Sequence, residues 1–144
     1  MKKRIFNWCF IILFLVIFLS GCNPSLEDIK RNITLEIVED TISLTGLTVL
    51  LSNKFTHTYM FGENFALKHE ISGVWSNVPM INSVSSVILI GYQLPPLSHR
   101  EKSINWEGWY GHLKHGKYRM EIQVTSNNDS DIECFIISDF EISE

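Results

Sequence analysis

Gly116-Lys117-Tyr118-Arg119-Met120-Glu121-Ile122-Gln123-Val124 decides the fold class. Tyr118, Met120, Ile122 and Val124 alternate with Lys117, Arg119, Glu121 and Gln123. A period of two puts the four apolar side chains on one face of a strand and the polar ones on the other. A helix would scatter the same residues around its axis. The stretch is therefore expected to form a strand in a sheet with one dry face and one wet face.

The same period recurs on both sides. Downstream, Ser126 to Asp131 reads as an exposed turn and Ile132 to Ile142 as the last strand. Upstream, Ile33, Leu35 and Ile37 alternate with Thr34, Glu36 and Val38, and Leu47 to Leu51 forms a second strand closed by Ser52-Asn53. Thr56 to Phe61 is β-branched and aromatic and stops at Gly62, before a further run from Phe65 to Ile71. Ser72-Gly73 then turns the chain into Val74-Trp75, a hairpin signal. Val84 to Ile90 is a strongly apolar strand. Pro95-Pro96 interrupts the pattern, because proline cannot feed a central ladder. Arg100 to Trp106 is extended again, and Gly111 and Gly116 bracket a tight connection.

About seven to nine short strands are expected between residues 32 and 142, with no long amphipathic helix and no internal repeat. Two sheets of this kind must cover each other's apolar faces. An all-β, antiparallel β-sandwich is the natural solution, with a closed barrel as the rival. Tyr118 favours the sandwich. It opens the penultimate strand just after Gly116, where sandwich domains bond a tyrosine hydroxyl to upstream backbone across a corner. Trp75 is expected to pack against aliphatic side chains.

Length and composition agree. The chain has 144 residues, a one-domain length, and 45% hydrophobic against 19% charged residues supports a packed core. Charge is unevenly placed. Setting aside Lys2, Lys3 and Arg4 leaves nine basic and sixteen acidic side chains, a formal charge of −7 on residues 22–144. An acidic body argues against nucleic-acid binding, which needs clustered Lys and Arg. No P-loop, dinucleotide turn or zinc-finger spacing is present, so no cofactor is implied.

Residues 1–22 carry an address. The basic head Lys2-Lys3-Arg4 precedes an apolar run from Phe10 to Leu19, and Ser20-Gly21-Cys22 follows. This is the layout of a secretory signal, and ten apolar residues fall short of the roughly 20 that a spanning helix needs. Leu19-Ser20-Gly21-Cys22 resembles the lipobox of bacterial lipoproteins. The resemblance implies a signal peptide over residues 1–21, diacylglyceryl attachment to Cys22, a tether over 22–31 and a folded domain over 32–144. Two acyl chains suffice for lasting anchorage. The protein is then expected outside the cytoplasm, lipid-anchored to the cell membrane. Only Cys134 remains as a free thiol. It alternates with its neighbours in a strand and is expected to be a small buried hydrophobe.

A second resemblance covers Ile33 to Val124. It rests on Gly46 to Asn53, Tyr59-Met60-Phe61-Gly62, Gly73-Val74-Trp75 with Val78-Pro79, and Gly91 to Pro96. It continues through Ile104-Asn105-Trp106, Tyr110-Gly111-His112-Leu113 and Gly116-Lys117-Tyr118-Arg119. In order and spacing these are similar to the bacterial immunoglobulin-like domain of lipoproteins and envelope proteins in Gram-positive bacteria. His115 stands where that family usually has Pro or Ala. The resemblance implies a sandwich fold and a structural role for Trp106 and Tyr110, but no activity.

Candidate site residues cluster in one place. Trp106, Trp109, Tyr110, His112 and His115 form the densest aromatic and histidine patch and the candidate binding surface. Aromatic side chains beside carboxylates make interface anchors. Trp109 is the one expected to be exposed. His112 and His115, with Glu107 nearby, have metal-ligand types, but a glycine-bracketed turn does not fix their rings. No metal site is assigned. No Gly-x-Ser-x-Gly occurs and no histidine is linked to Cys134, so no nucleophile–base pair can be assembled. The expected function is a non-catalytic adhesion or protein-interaction module at the cell envelope, with an envelope protein or peptide as partner. A small-ligand or metal sensor or carrier lipoprotein is the alternative.

Overall fold

A computed structural model describes residues 26–82, 90–126 and 133–144. The tether expected over residues 22–31 gives way at Leu26 to a helix, α1 (Leu26–Asn32). Seven residues are too few for an isolated helix. Ile29, wholly buried, holds this one against the sandwich. Glu27 and Asp28 in the first turn and Lys30 and Arg31 in the last match the helix dipole.

Eight strands follow among the described residues: β1 (Ile33–Val38), β2 (Gly46–Asn53), β3 (Tyr59–Ile71), β4 (Val74–Asn77), β5 (Gly91–Leu94), β6 (Ser98–Asn105), β7 (Gly116–Ser126) and β8 (Glu133–Ile142). One turn of helix, α2 (Glu107–Tyr110), lies between β6 and β7. A three-stranded antiparallel sheet runs β1-β2-β6. A five-stranded antiparallel sheet runs β4-β3-β7-β8, with β5 also on β3. Their inner faces form one core, so the chain is a two-sheet β-sandwich and not the rival closed barrel. Leu47, Val49 and Leu51 of β2 face Tyr118, Met120, Ile122 and Val124 of β7 within it, and all seven are buried. The expected strand at Val84–Ile90, except Ile90, and most of the turn after Ser126 lie outside the described residues.

Four local features refine the sequence reading. Ser72 (φ 53°) and Gly73 (φ 80°) both lie in the left-handed region, the backbone of a type I′ hairpin between β3 and β4. The two runs on either side of Gly62 are one strand, because a register shift between Phe61 and Phe65 absorbs the extra residues as a bulge. Trp75 does not sit in an aliphatic core. It is half-buried on the short edge strand β4, with the Arg119 guanidinium 4.2 Å above its ring. The buried tryptophan is Trp106, whose indole Nε1 donates to the Leu44 carbonyl at 3.0 Å.

The Tyr118 corner forms as expected. Its hydroxyl donates to the Lys114 carbonyl at 2.9 Å while its ring stacks on His69 and Phe140. Asn53 secures the end of the sandwich beside α1. Its amide donates to the carbonyls of His57, Leu94 and Pro95, and its oxygen accepts the Phe55 N–H. Buried polar groups have to be satisfied in this way.

Candidate interaction site

Among the described residues β8 ends the five-stranded sheet, and its side away from β7 carries no ladder. β1 runs close to it without pairing. At Val38 β1 stops, and the chain turns away through the 3₁₀ turn Glu39–Thr41 towards β2. That connection is tied down. Thr41 Oγ1 donates to the Val38 carbonyl at 2.6 Å and accepts the Thr48 N–H at 2.7 Å. Ser43 Oγ donates to the Gly46 carbonyl at 2.8 Å and accepts the Gly46 N–H at 3.0 Å.

A cleft of about 530 Å³ opens where β1 has left. The turn supplies Glu39, Ile42, Ser43 and Leu44. The other wall is the unbroken run Asp139-Phe140-Glu141-Ile142-Ser143, with His115 at its end. Glu39 and Glu141 are exposed. Leu44 is partly exposed at 39%, and Phe140 and Ile142 are buried beneath. Asp139 receives a two-pronged ion pair from Arg119, at 2.7 and 2.8 Å. That bond holds the Asp139 carboxyl below the usual range, the reverse of what a general acid needs. His115 Nδ1 lies 2.7 Å from the Ser143 carbonyl oxygen. The cleft is acidic and apolar, suited to a ligand that is cationic and partly apolar.

The expected aromatic surface is not assembled. Trp106 is fully buried and Tyr110 is 6% exposed. Neither presents itself to a partner: Trp106, just before α2, and Tyr110, at its end, are both packed in the core. Trp109, expected to be exposed, is half-buried and stacks on Phe65 with centroids 5.2 Å apart. α2 sends Glu107 outward, where its Oε1 meets His112 Nε2 at 3.0 Å on the surface. The two histidines thus have separate partners. Among the described residues no three His, Cys, Asp or Glu side chains form a metal-holding group. Of the five expected residues, His115 lines the cleft. Cys134 is buried, and burial pushes its thiol pKa up.

Sequence reasoning missed Glu39, Ile42–Leu44 and Asp139–Ser143 as a group. The acidic pair Glu39-Asp40 at a strand end was a visible signal. What brings it to β8 is the edge position of β8, which no local pattern encodes.

A second polar cluster bridges the sheets at the β3 bulge. The Tyr92 hydroxyl donates to Glu63, and Lys102 Nζ lies 2.9 Å from the other Glu63 oxygen and donates to the Gly62 carbonyl at 2.9 Å. Lys102 and Arg100 also lie over the Tyr92 ring, at 5.0 and 4.8 Å. The Tyr92 and Lys102 bonds hold the Glu63 carboxyl below its ordinary range. These groups satisfy one another, so the cluster reads as a clamp between sheets.

Two facing antiparallel sheets, a tyrosine corner and a buried core tryptophan define an immunoglobulin-like β-sandwich. The family model described as "Bacterial Ig-like domain" matches residues 29–134. The match covers well over half of the chain, and the chain belongs to that family. The cleft-lining half of β8 lies beyond the matched residues. No curated protein matches the chain.

Proposed function

We propose that the protein is an exported lipoprotein, held to the membrane through Cys22, whose Ig-like domain binds a protein or peptide of the cell envelope without catalysing a reaction. The observation that carries this reading is the polarity of the domain. α1 starts four residues after Cys22 and leads straight into β1. The cleft lies past the end of β1, and six strand residues separate the two by about 20 Å. An anchor at Cys22 would leave the cleft on the side of the domain away from the membrane. The acidic and apolar lining of the cleft supports a partner with basic and apolar residues.

The signal-like residues 1–21 and the Leu19–Cys22 resemblance support the anchor. Cys22→Ser is expected to abolish lipid labelling and move the protein out of the membrane fraction. Unchanged labelling and fractionation would remove the anchor from this reading. A photocrosslinker at Leu44 is expected to capture a discrete envelope protein, and failure to capture one would remove the interaction role.

A further inference from the structure

We propose that the cleft receives an extended peptide as an added strand on the free edge of β8, and that this peptide alternates apolar with basic residues. The proposal deepens the interaction reading above and rests on it.

The lining carries the inference. A strand that lines a pocket with one face contributes every second residue, since side chains alternate. Here β8 contributes four residues in a row, Asp139 to Ile142, and Ser143 continues the run just past its end. Consecutive lining means that the cleft meets the edge of the strand, its backbone included. β7 occupies one side of β8 through a continuous antiparallel register from Gly116↔Ile142 to Thr125↔Glu133. In such a ladder every second residue sends its N–H and C=O to the opposite side. β1 lies along the first half of β8, where Ile33-Thr34-Leu35 and Phe135-Ile136-Ile137 line a common groove. Beyond Val38 the tied turn at Glu39–Leu44 stands off instead, leaving the second half of the edge open. Five residues span about 17 Å, so the added strand is about five residues long.

The side chains set the occupant. On β8, Phe140 and Ile142 point into the core while Asp139 and Glu141 point out. An added strand inherits this alternation, because cross-strand neighbours share a face. Its outward residues meet Glu141, and Glu39 across the cleft, which favours Lys or Arg. Its inward residues meet Phe140, Ile142, Ile42 and Leu44, which favours apolar side chains. A second copy of the chain is a poorer occupant. Antiparallel pairing of two open β8 segments would bring Glu141 of one copy beside Glu141 of the other, and like charges across a ladder repel. Main-chain bonding with alternate side-chain pockets is the recognition mode of strand addition.

The test uses the full chain in detergent and four fluorescent seven-residue probes. One alternates Lys and Val, one has the same composition in two blocks, and two are the alternating peptide N-methylated at alternate residues, one in each register. The alternating peptide is expected to bind. The block peptide should bind at least about tenfold more weakly, and one N-methylated register should lose about tenfold while the other loses little. Glu141→Lys should weaken binding about tenfold; because it sets a second lysine opposite Lys117 on β7, Glu141→Gln, which adds no like charge, is the companion variant and should weaken binding with little change in melting midpoint. Equal binding of both N-methylated registers, no binding of the alternating peptide, or self-association through β8 would each overturn the proposal. Crosslinking at Leu44 is read separately, so capture of an envelope protein alongside any of those results would discard strand addition while keeping the interaction role.

Discussion

Replacing Tyr118 by Phe removes one oxygen and leaves the ring in place, between His69 at 4.7 Å and Phe140 at 5.6 Å. What is lost is the 2.9 Å bond to the Lys114 carbonyl. A net hydrogen bond contributes about 0.5–1.5 kcal/mol, and a stranded partner adds to the loss. Lys114 is an exposed residue in the connection before β7, so water can recover part of its carbonyl's bonding. The expected cost is therefore about 1–2 kcal/mol, or roughly 4–8 °C in Tm for a domain of this size. Tyr59→Phe is the matched control. Tyr59 is also fully buried, and among the described residues its hydroxyl has no hydrogen-bond partner. Removing an unsatisfied buried hydroxyl should be neutral or stabilise by up to about 1 kcal/mol. Calorimetric melting of the two variants beside the parent reads the contrast. Equal destabilisation by both, or none by Tyr118→Phe, would refute the corner as a source of stability.

Lys102→Met should destabilise by about 2–3 kcal/mol, because it strands the Glu63 carboxylate and the Gly62 carbonyl at the sheet junction; chemical denaturation reads this. Burial raises the phenol pKa values of Tyr59, Tyr110 and Tyr118 above 10.0. The unfolded chain then releases these protons first, so stability should hold below about pH 10 and fall as pH rises through the folded values; melting between about pH 8 and 12 checks the direction. Cys134, 4% exposed, should resist an aqueous thiol reagent in the native state and react when denaturant unfolds the chain. Gly46→Ala should cost about 1–3 kcal/mol, since an added Cβ would overlap the Ile104 carbonyl oxygen across the β2–β6 ladder.

The sandwich was legible because its central strands obey a single rule. β2 and β7 alternate without a break, and a core-facing register leaves such strands no other placement. The hairpin at Ser72-Gly73 and the Tyr118 corner were legible because their chemistry is local. The two tryptophans were not. Trp75 and Trp106 both flank turns, and which one is buried depends on whether its strand lies at an edge or leads into the core. α1 was hidden because one residue, Ile29, holds it, and one apolar residue makes no period. The broken run at Gly62 looked like a strand end, since a bulge and a stop share the same glycine signal. The cleft was the least legible part. Glu39 and Asp139 are 100 positions apart in sequence, and only the topology brings them to one cleft. The aromatic patch at 106–110 misled because aromatic density signals cores as well as interfaces.

Photocrosslinking in intact cells tests most directly whether the cleft is the working surface of this domain. A crosslinking residue is placed at Leu44, in the cleft, or at Leu97, 75% exposed in the turn beside Asn53 at the α1 end. The expected result is a discrete adduct from position 44 that is absent from position 97 and lost when Glu141→Lys is added. Adducts from position 97 alone, or an adduct at 44 indifferent to Glu141, would contradict a partner bound in the cleft.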